Sequence, residues 1–393
     1  MQSAATCSKQ LEGGIQIQGL QFGELESARR EFERYLKDLN LHQHVTTVND
    51  PRSLGGLLGF HLRQGESVNL APSGDTSQLC QKLHLDTVTN PVDLEREIVL
   101  AMLLCPVPFQ FPSLDELMSS IRIRKNIVMA ARKTSLSFAT DVAERPAEYW
   151  TYDEDHGFIL RPGVSLIAAL QKTTQPEVSG VRYTFSCRRA AEYICLLAMT
   201  TEAKLTHPEL YQDLHRQAEK RAVKGAEFER IFLRRIGSPS NPLPVKFFVP
   251  GDRTWFRNPD RESSEVTGYE GSWTFYLGNG LFADFWRPGL VYTLTTKCLS
   301  IYHWRNSTYR DQNGELQIDE SRVESQVDAT LADPVATAKI LDEMLQLHEP
   351  MDVFSGGCVE PHREYARLIC RGTCDLVLPD VHRSDDDCSS FRS

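Results

Sequence analysis

Apolar residues fall at helical spacing over much of the first two thirds of the chain, then switch to strand spacing. In residues 24–39, Phe32, Tyr35, Leu36 and Leu39 share one stripe with charges between them, which predicts an amphipathic helix. Residues 91–105 open on Pro91 and continue as a largely apolar helix until Pro106, Pro108 and Pro112 break it. Ser113-Leu114-Asp115-Glu116 has the spacing of a capping box and starts a long helix to about residue 135. Short strands are expected at 148–151 and 158–160, and a short helix at 165–171. Ser186 is placed to cap an amphipathic helix beginning at Cys187. A charged helix is expected over 208–236.

The break at 237–244 is rich in Gly, Pro and Ser, and the period changes after it. Residues 245–249, 253–257, 272–277, 281–286 and 290–304 favour strands, and Gly278-Asn279-Gly280 is a hairpin signal. Residues 333–347 return to helix, with Asp333 as cap and Pro334 at the first turn. Residues 1–20 read as an unanchored tail, and 45–90 resist assignment. Helices followed by an antiparallel sheet indicate the α+β class.

Composition narrows the function less than the pattern does. The chain has 393 residues, 41% hydrophobic and 24% charged, which is ordinary for a globular protein of one large or two smaller domains. No apolar run is long enough to span a bilayer, and the start lacks the basic-then-apolar pattern of a secretory signal. Ten scattered cysteines then fit reduced thiols, and a cytoplasmic location is expected. A net charge of -10 argues against non-specific nucleic-acid binding. Basic residues do cluster at 121–133 and 215–235, the latter mixed with acids as on a solvated helix. Cys370 and Cys374 form a single Cys-x3-Cys pair with no second pair, and His303 and His362 are isolated, so neither a metal nor any other cofactor is expected.

Cys187 is the residue with the clearest chemistry. At the first turn of a helix it meets the positive end of the dipole, and Arg188 and Arg189 follow it directly. Both features favour a thiolate able to attack an acyl carbon. The competing reading is a cysteine acting as a small buried hydrophobe.

The segments around it resemble the bacterial spore-type protein-glutamine gamma-glutamyltransferases, small transglutaminases with a papain-like cysteine core. The resemblance rests on Phe109-Gln110-Phe111-Pro112, Arg124-Lys125-Asn126-Ile127-Val128-Met129-Ala130-Ala131, Ser137-Phe138-Ala139-Thr140 and Tyr149-Trp150. It continues through Phe158-Ile159-Leu160-Arg161-Pro162-Gly163-Val164, Tyr183-Thr184-Phe185-Ser186-Cys187 and Pro250-Gly251-Asp252. Trp255-Phe256-Arg257-Asn258-Pro259-Asp260 and Leu277-Gly278-Asn279-Gly280 follow, and it fades in Leu281-Phe282-Ala283-Asp284. It implies a transglutaminase-like core over 106–305, its nucleophile helix packed on an antiparallel sheet. A partly helical N-terminal extension would occupy 1–105, a helix-and-strand extension 306–380 and a disordered tail 381–393.

By the same resemblance Cys187 is the nucleophile. The family's glutamate before the nucleophile is Ser186 here, its strand glutamate after a glycine is Ser272 after Gly271, and its histidine matches Asp284. The base is therefore open among Asp284, Glu270 and His303, the last expected on a later strand. Ser186, Arg188, Ser272, Trp273 and Trp286 are the candidate substrate contacts. The expected reaction is amide-bond formation through a Cys187 thioester. The acyl donor would be a protein glutamine, an amino-acid derivative or an aminoacyl-tRNA, and an amine would accept. Nucleic acid enters only if tRNA carries the donor, and no membrane partner is expected. A tRNA-dependent peptide- or cyclodipeptide-forming enzyme, a thiol hydrolase or deamidase, and a non-catalytic binding module remain alternatives.

Overall fold

The computed structural model describes residues 13–19, 22–50, 56–139, 142–287, 289, 291–349, 351–352 and 354–379. The expected tail at 381–393 and the first residues of the expected N-terminal tail, 1–12, lie outside the described residues.

Residues 15–18 are not a loose tail. Ile15–Gln18 (β1) pairs antiparallel with Leu57–Leu62 and parallel with Phe109–Phe111, and Ile15 and Ile17 are fully buried. With Val45–Asp50 (β2), Leu57–Leu62 (β3) and Phe109–Phe111 (β4), it forms a four-stranded sheet in the order β2-β3-β1-β4. Phe22–Asp38 (α1) covers this sheet, with Phe32 edge-on to Phe60 at 4.6 Å between ring centroids. Pro91–Leu104 (α2) starts as expected: the Asn90 side chain accepts from the Val92 N–H and Pro91 takes the first turn.

Leu114–Lys133 (α3) realises half of the capping box. Ser113 Oγ accepts from Glu116 N at 3.2 Å, but the Glu116 carboxylate turns inward instead of back. There it accepts from Ile369 N, Cys370 N and the Thr373 hydroxyl, which satisfies a buried acid and fixes the Cys370–Cys374 turn.

The main sheet has six antiparallel strands. They are Leu233–Ile236 (β5), Arg253–Arg257 (β6), Gly271–Gly278 (β7), Leu281–Ala283 (β8), Val291–Thr293 (β9) and Arg363–Ala366 (β10), in the order β9-β8-β7-β6-β10-β5. The β7–β8 turn is the expected hairpin, with positive φ at Gly278, Asn279 and Gly280. Alternation along β7 sends Phe275 and Leu277 to one core and Tyr276 to the other. Cys187–Thr206 (α4) and α3 pack on the first face. Leu294–Trp304 (α5), Glu320–Leu331 (α6) and Pro334–Met344 (α7) build the second core with Phe248, Tyr276 and Phe282. Burying each large apolar side chain in these layers is worth about 1.5–3 kcal/mol.

Three further sequence expectations change. The helix expected over 208–236 splits into Pro208–Lys220 and Gly225–Phe232, and the chain then enters β5 because 233–236 pair with β10. Residues 245–249 form an apolar loop rather than a strand, with Val249 N bonded to Asp252 Oδ2 at 2.7 Å. The expected strand at 290–304 is strand only over β9. Thr293 and Thr296 then cap each other reciprocally and start α5.

Segments distant in sequence lock the frame. The buried Arg124 of α3 donates to Asp252 Oδ1 at 2.7 Å and lies over the Phe109 and Tyr365 rings. Gly251 has φ +88 and a Cβ there would meet Arg124 Cα at 2.8 Å, so both its handedness and its lack of a side chain are required.

Candidate functional site

Cys187 is the first residue of α4, and Ser186 caps the helix by accepting from Arg189 N at 3.4 Å. Its thiol faces a cavity of about 250 Å³ where the N-terminus of α4 meets the start of β7. Phe138, Ser272 and Trp286 line the same cavity. Across from them stand Tyr292, Lys297, Ser300 and Trp304 of β9 and α5, and Glu320 and Glu324 of α6.

The flanking arginines do not act as expected. Arg188 pairs with Glu229 at 2.8 Å, and Arg189 pairs with Glu192. Burial is the largest influence on Cys187 and pushes its thiol above the ordinary value. The Trp273 N–H, the charge of Lys297, the Arg188 N–H and the charge of Arg253 pull it back down. Arg253 is itself held between the Trp273 ring, 3.6 Å away, and Glu364, at 2.6 Å. The cations that reach the sulfur therefore come from β6 and α5, not from the neighbouring side chains in sequence.

Lys297 went unrecognised in the sequence because its segment reads as a strand. It is the only charge in Leu294-Thr295-Thr296-Lys297-Cys298-Leu299-Ser300-Ile301. A lysine is almost never buried without a partner, and that isolation was the signal available. In the structure it is buried, and its ammonium rests 4.2 Å from the centre of the Tyr292 ring. Burial lowers its affinity for a proton; Asp284, Cys187 and Glu320 act in the opposite sense.

Asp284 follows β8 and is buried, with Oδ1 accepting from Trp286 N at 2.9 Å. Its charge is felt by Lys297 and Tyr292. Ser272 and Trp286 line the cavity, Trp286 edge-on to Phe138 at 5.1 Å. Trp273 offers its backbone N–H to the sulfur while its ring turns to Arg253 and Trp255. Ser186 serves as the helix cap, and Arg188 points to Glu229.

Two candidate bases are not brought to the thiol. Glu270 precedes β7 instead of lying on it; it is exposed, and its carboxylate accepts from Gly268 N at 3.1 Å. His303 is on α5, not on a strand. It is fully engaged with Thr330 Oγ1 at 2.8 Å and Asn306 Nδ2 at 3.1 Å, as a core histidine would be. The basic stretches are likewise matched by acids: Arg122 with Glu202, Lys125 with Glu95, Arg234 with Asp375 and Arg235 with Glu364.

A family model described as protein-glutamine gamma-glutamyltransferase matches residues 75–291, just over half of the chain. The protein-glutamine gamma-glutamyltransferase of Halalkalibacterium halodurans is 26% identical over 203 residues, covering 50% of this chain and 66% of that protein, slightly under two thirds of its length. A solved transglutaminase from Geobacillus stearothermophilus, without its C-terminal extension, aligns over 54% of this chain and 96% of its own at 21% identity and a TM-score of 0.38.

Proposed function

This chain belongs to the protein-glutamine gamma-glutamyltransferase family, and from that premise we propose that it forms amide bonds through a thioester on Cys187. The observation that carries this reading is the Cys187 thiol at a helix N-terminus, opening into a cavity and facing two backbone N–H groups and two cations. The donor is a protein glutamine and the acceptor a primary amine such as lysine. The thiolate attacks the side-chain amide carbon, ammonia leaves, and the amine then takes the acyl group from sulfur. Glu320 and Glu324 place negative charge at the cavity wall, which suits a cationic acceptor.

Asp284 enters this reading as an orienting charge behind the cavity. Its carboxylate is tied to the backbone of Trp286 and acts on Lys297 and Tyr292. A tRNA donor finds little support, since the basic stretches are paired with acids.

Intact mass measurement tests the proposal. After incubation with a glutamine-containing peptide, wild-type protein is expected to gain the peptide mass less one ammonia, and Cys187→Ala to gain nothing. An amine added afterwards should discharge the adduct onto itself. Ammonia release with no amine incorporation would replace the transferase reading with a deamidase. No adduct from any glutamine peptide would leave a binding module.

A further inference from the structure

We propose that Lys297 is the group that takes the proton from the Cys187 thiol and returns it to the departing amine. The inference rests on the acyl-transfer reading and adds a residue beyond the stretch matched by the family model, which ends at 291.

The position expected to hold the histidine holds Asp284, which is poorly suited to the task. Asp284 is not among the residues that line the cavity with Cys187, and its Oδ1 already accepts from Trp286 N. Neither of the other two candidate bases takes its place: His303 is bonded on both ring nitrogens elsewhere, and Glu270 is turned to solvent. Among the described residues, Lys297 is the one amine lining the cavity with Cys187, and each of the two shifts the other's titration.

Its surroundings suit proton transfer. Lys297 is buried on α5 with Tyr292 of β9 beneath its ammonium, and it has no ion pair within 4 Å among the described residues. The charged and titratable groups facing it are Asp284 after β8, Cys187 of α4, Glu320 of α6, Tyr292 of β9 and Cys298 of its own helix. Burial favours its neutral amine and the carboxylates restrain that tendency, so the amine and the thiol compete for one proton.

The steps balance. The thiol proton moves to the neutral Lys297 amine, giving thiolate and ammonium. Sulfur bonds to the amide carbon, and the C–N bond breaks as the Lys297 ammonium protonates the leaving group, so ammonia departs and the thioester remains. An acceptor amine then attacks. Its proton passes to neutral Lys297, the C–S bond breaks, and the thiolate–ammonium pair is restored.

Two full-length variants test this, alongside the iodoacetamide reactivity of Cys187 against pH. Lys297→Met is expected to lower kcat/KM by about 10²-fold or more and to move the alkylation limb to higher pH. Lys297→Arg keeps a positive charge but cannot accept a proton. It should retain rapid alkylation of Cys187 while losing turnover as severely. Turnover in Lys297→Arg within about threefold of wild type would overturn the proposal, because a fixed charge would then suffice. Recovery of the acyl group on the Lys297 side chain in peptide maps would also overturn it, since the residue would be an acceptor. Should wild type form no acyl adduct while alkylation still depends on Lys297, acyl transfer fails and the proton-sharing pair stands.

Discussion

The cavity has two walls of different kinds. The first is built from α4 and β7, inside the stretch matched by the family model, and supplies Cys187, Ser272 and the Trp273 N–H. The second is built from β9, α5 and α6, reaching beyond that stretch, and supplies Tyr292, Lys297, Glu320 and Glu324. Cys187 stands in the matched stretch together with three groups that act on its thiol, the Trp273 N–H, the Arg188 N–H and Arg253, while the other wall adds the charge of Lys297. Replacement of an expected histidine by Asp284 still leaves a titratable amine in the cavity, because Lys297 on another element lines it with Cys187 and acts on the thiol.

The comparison is broken most directly at the first wall. Cys187→Ala should abolish acyl transfer with no loss of fold, checked by a crosslinking assay and circular dichroism. Residual turnover would move the nucleophile elsewhere. The frame behind that wall is tested by Asp252→Ala. Leaving the buried Arg124 unpaired should cost about 3–5 kcal/mol in denaturant unfolding. A loss near zero would mean that Arg124 finds water or another partner.

Where the walls meet, Asp284→Asn should lower kcat by about 10²-fold. Asp284 favours the protonated form of Lys297, so removing its charge should also move the ascending limb of the kcat/KM profile to lower pH. Disappearance of that limb would instead make Asp284 the base. The smallest effect is expected outside both walls. Glu270→Gln should change activity by about twofold at most, as for an exposed side chain. A larger loss would draw the segment before β7 into the site.

Much of the first wall was legible in the sequence. Ser186 and Cys187 announce a capped helix start, Gly278-Asn279-Gly280 a hairpin, and Arg124 and Pro250-Gly251-Asp252 the matched segments that the fold joins. These depend on short-range rules: capping, period and positive φ. The second wall was hidden. Residues 290–304 carry β-branched and aromatic residues and read as a strand, yet the reciprocal Thr293–Thr296 cap turns them into α5. With the wrong period, Lys297 had no assigned face and His303 was given the wrong neighbours.

The local sequence by itself determined the capped helix that starts at Cys187, the hairpin and the α+β class, because each is set by residues a few positions apart. Tertiary structure alone decided which cations act on the thiol. The charges of Arg188 and Arg189 are taken up by Glu229 and Glu192, while Arg253 and Lys297 reach the sulfur from β6 and α5. Electrostatic influence follows distance through space and the loss of solvent, and neither is encoded in the spacing of residues along the chain.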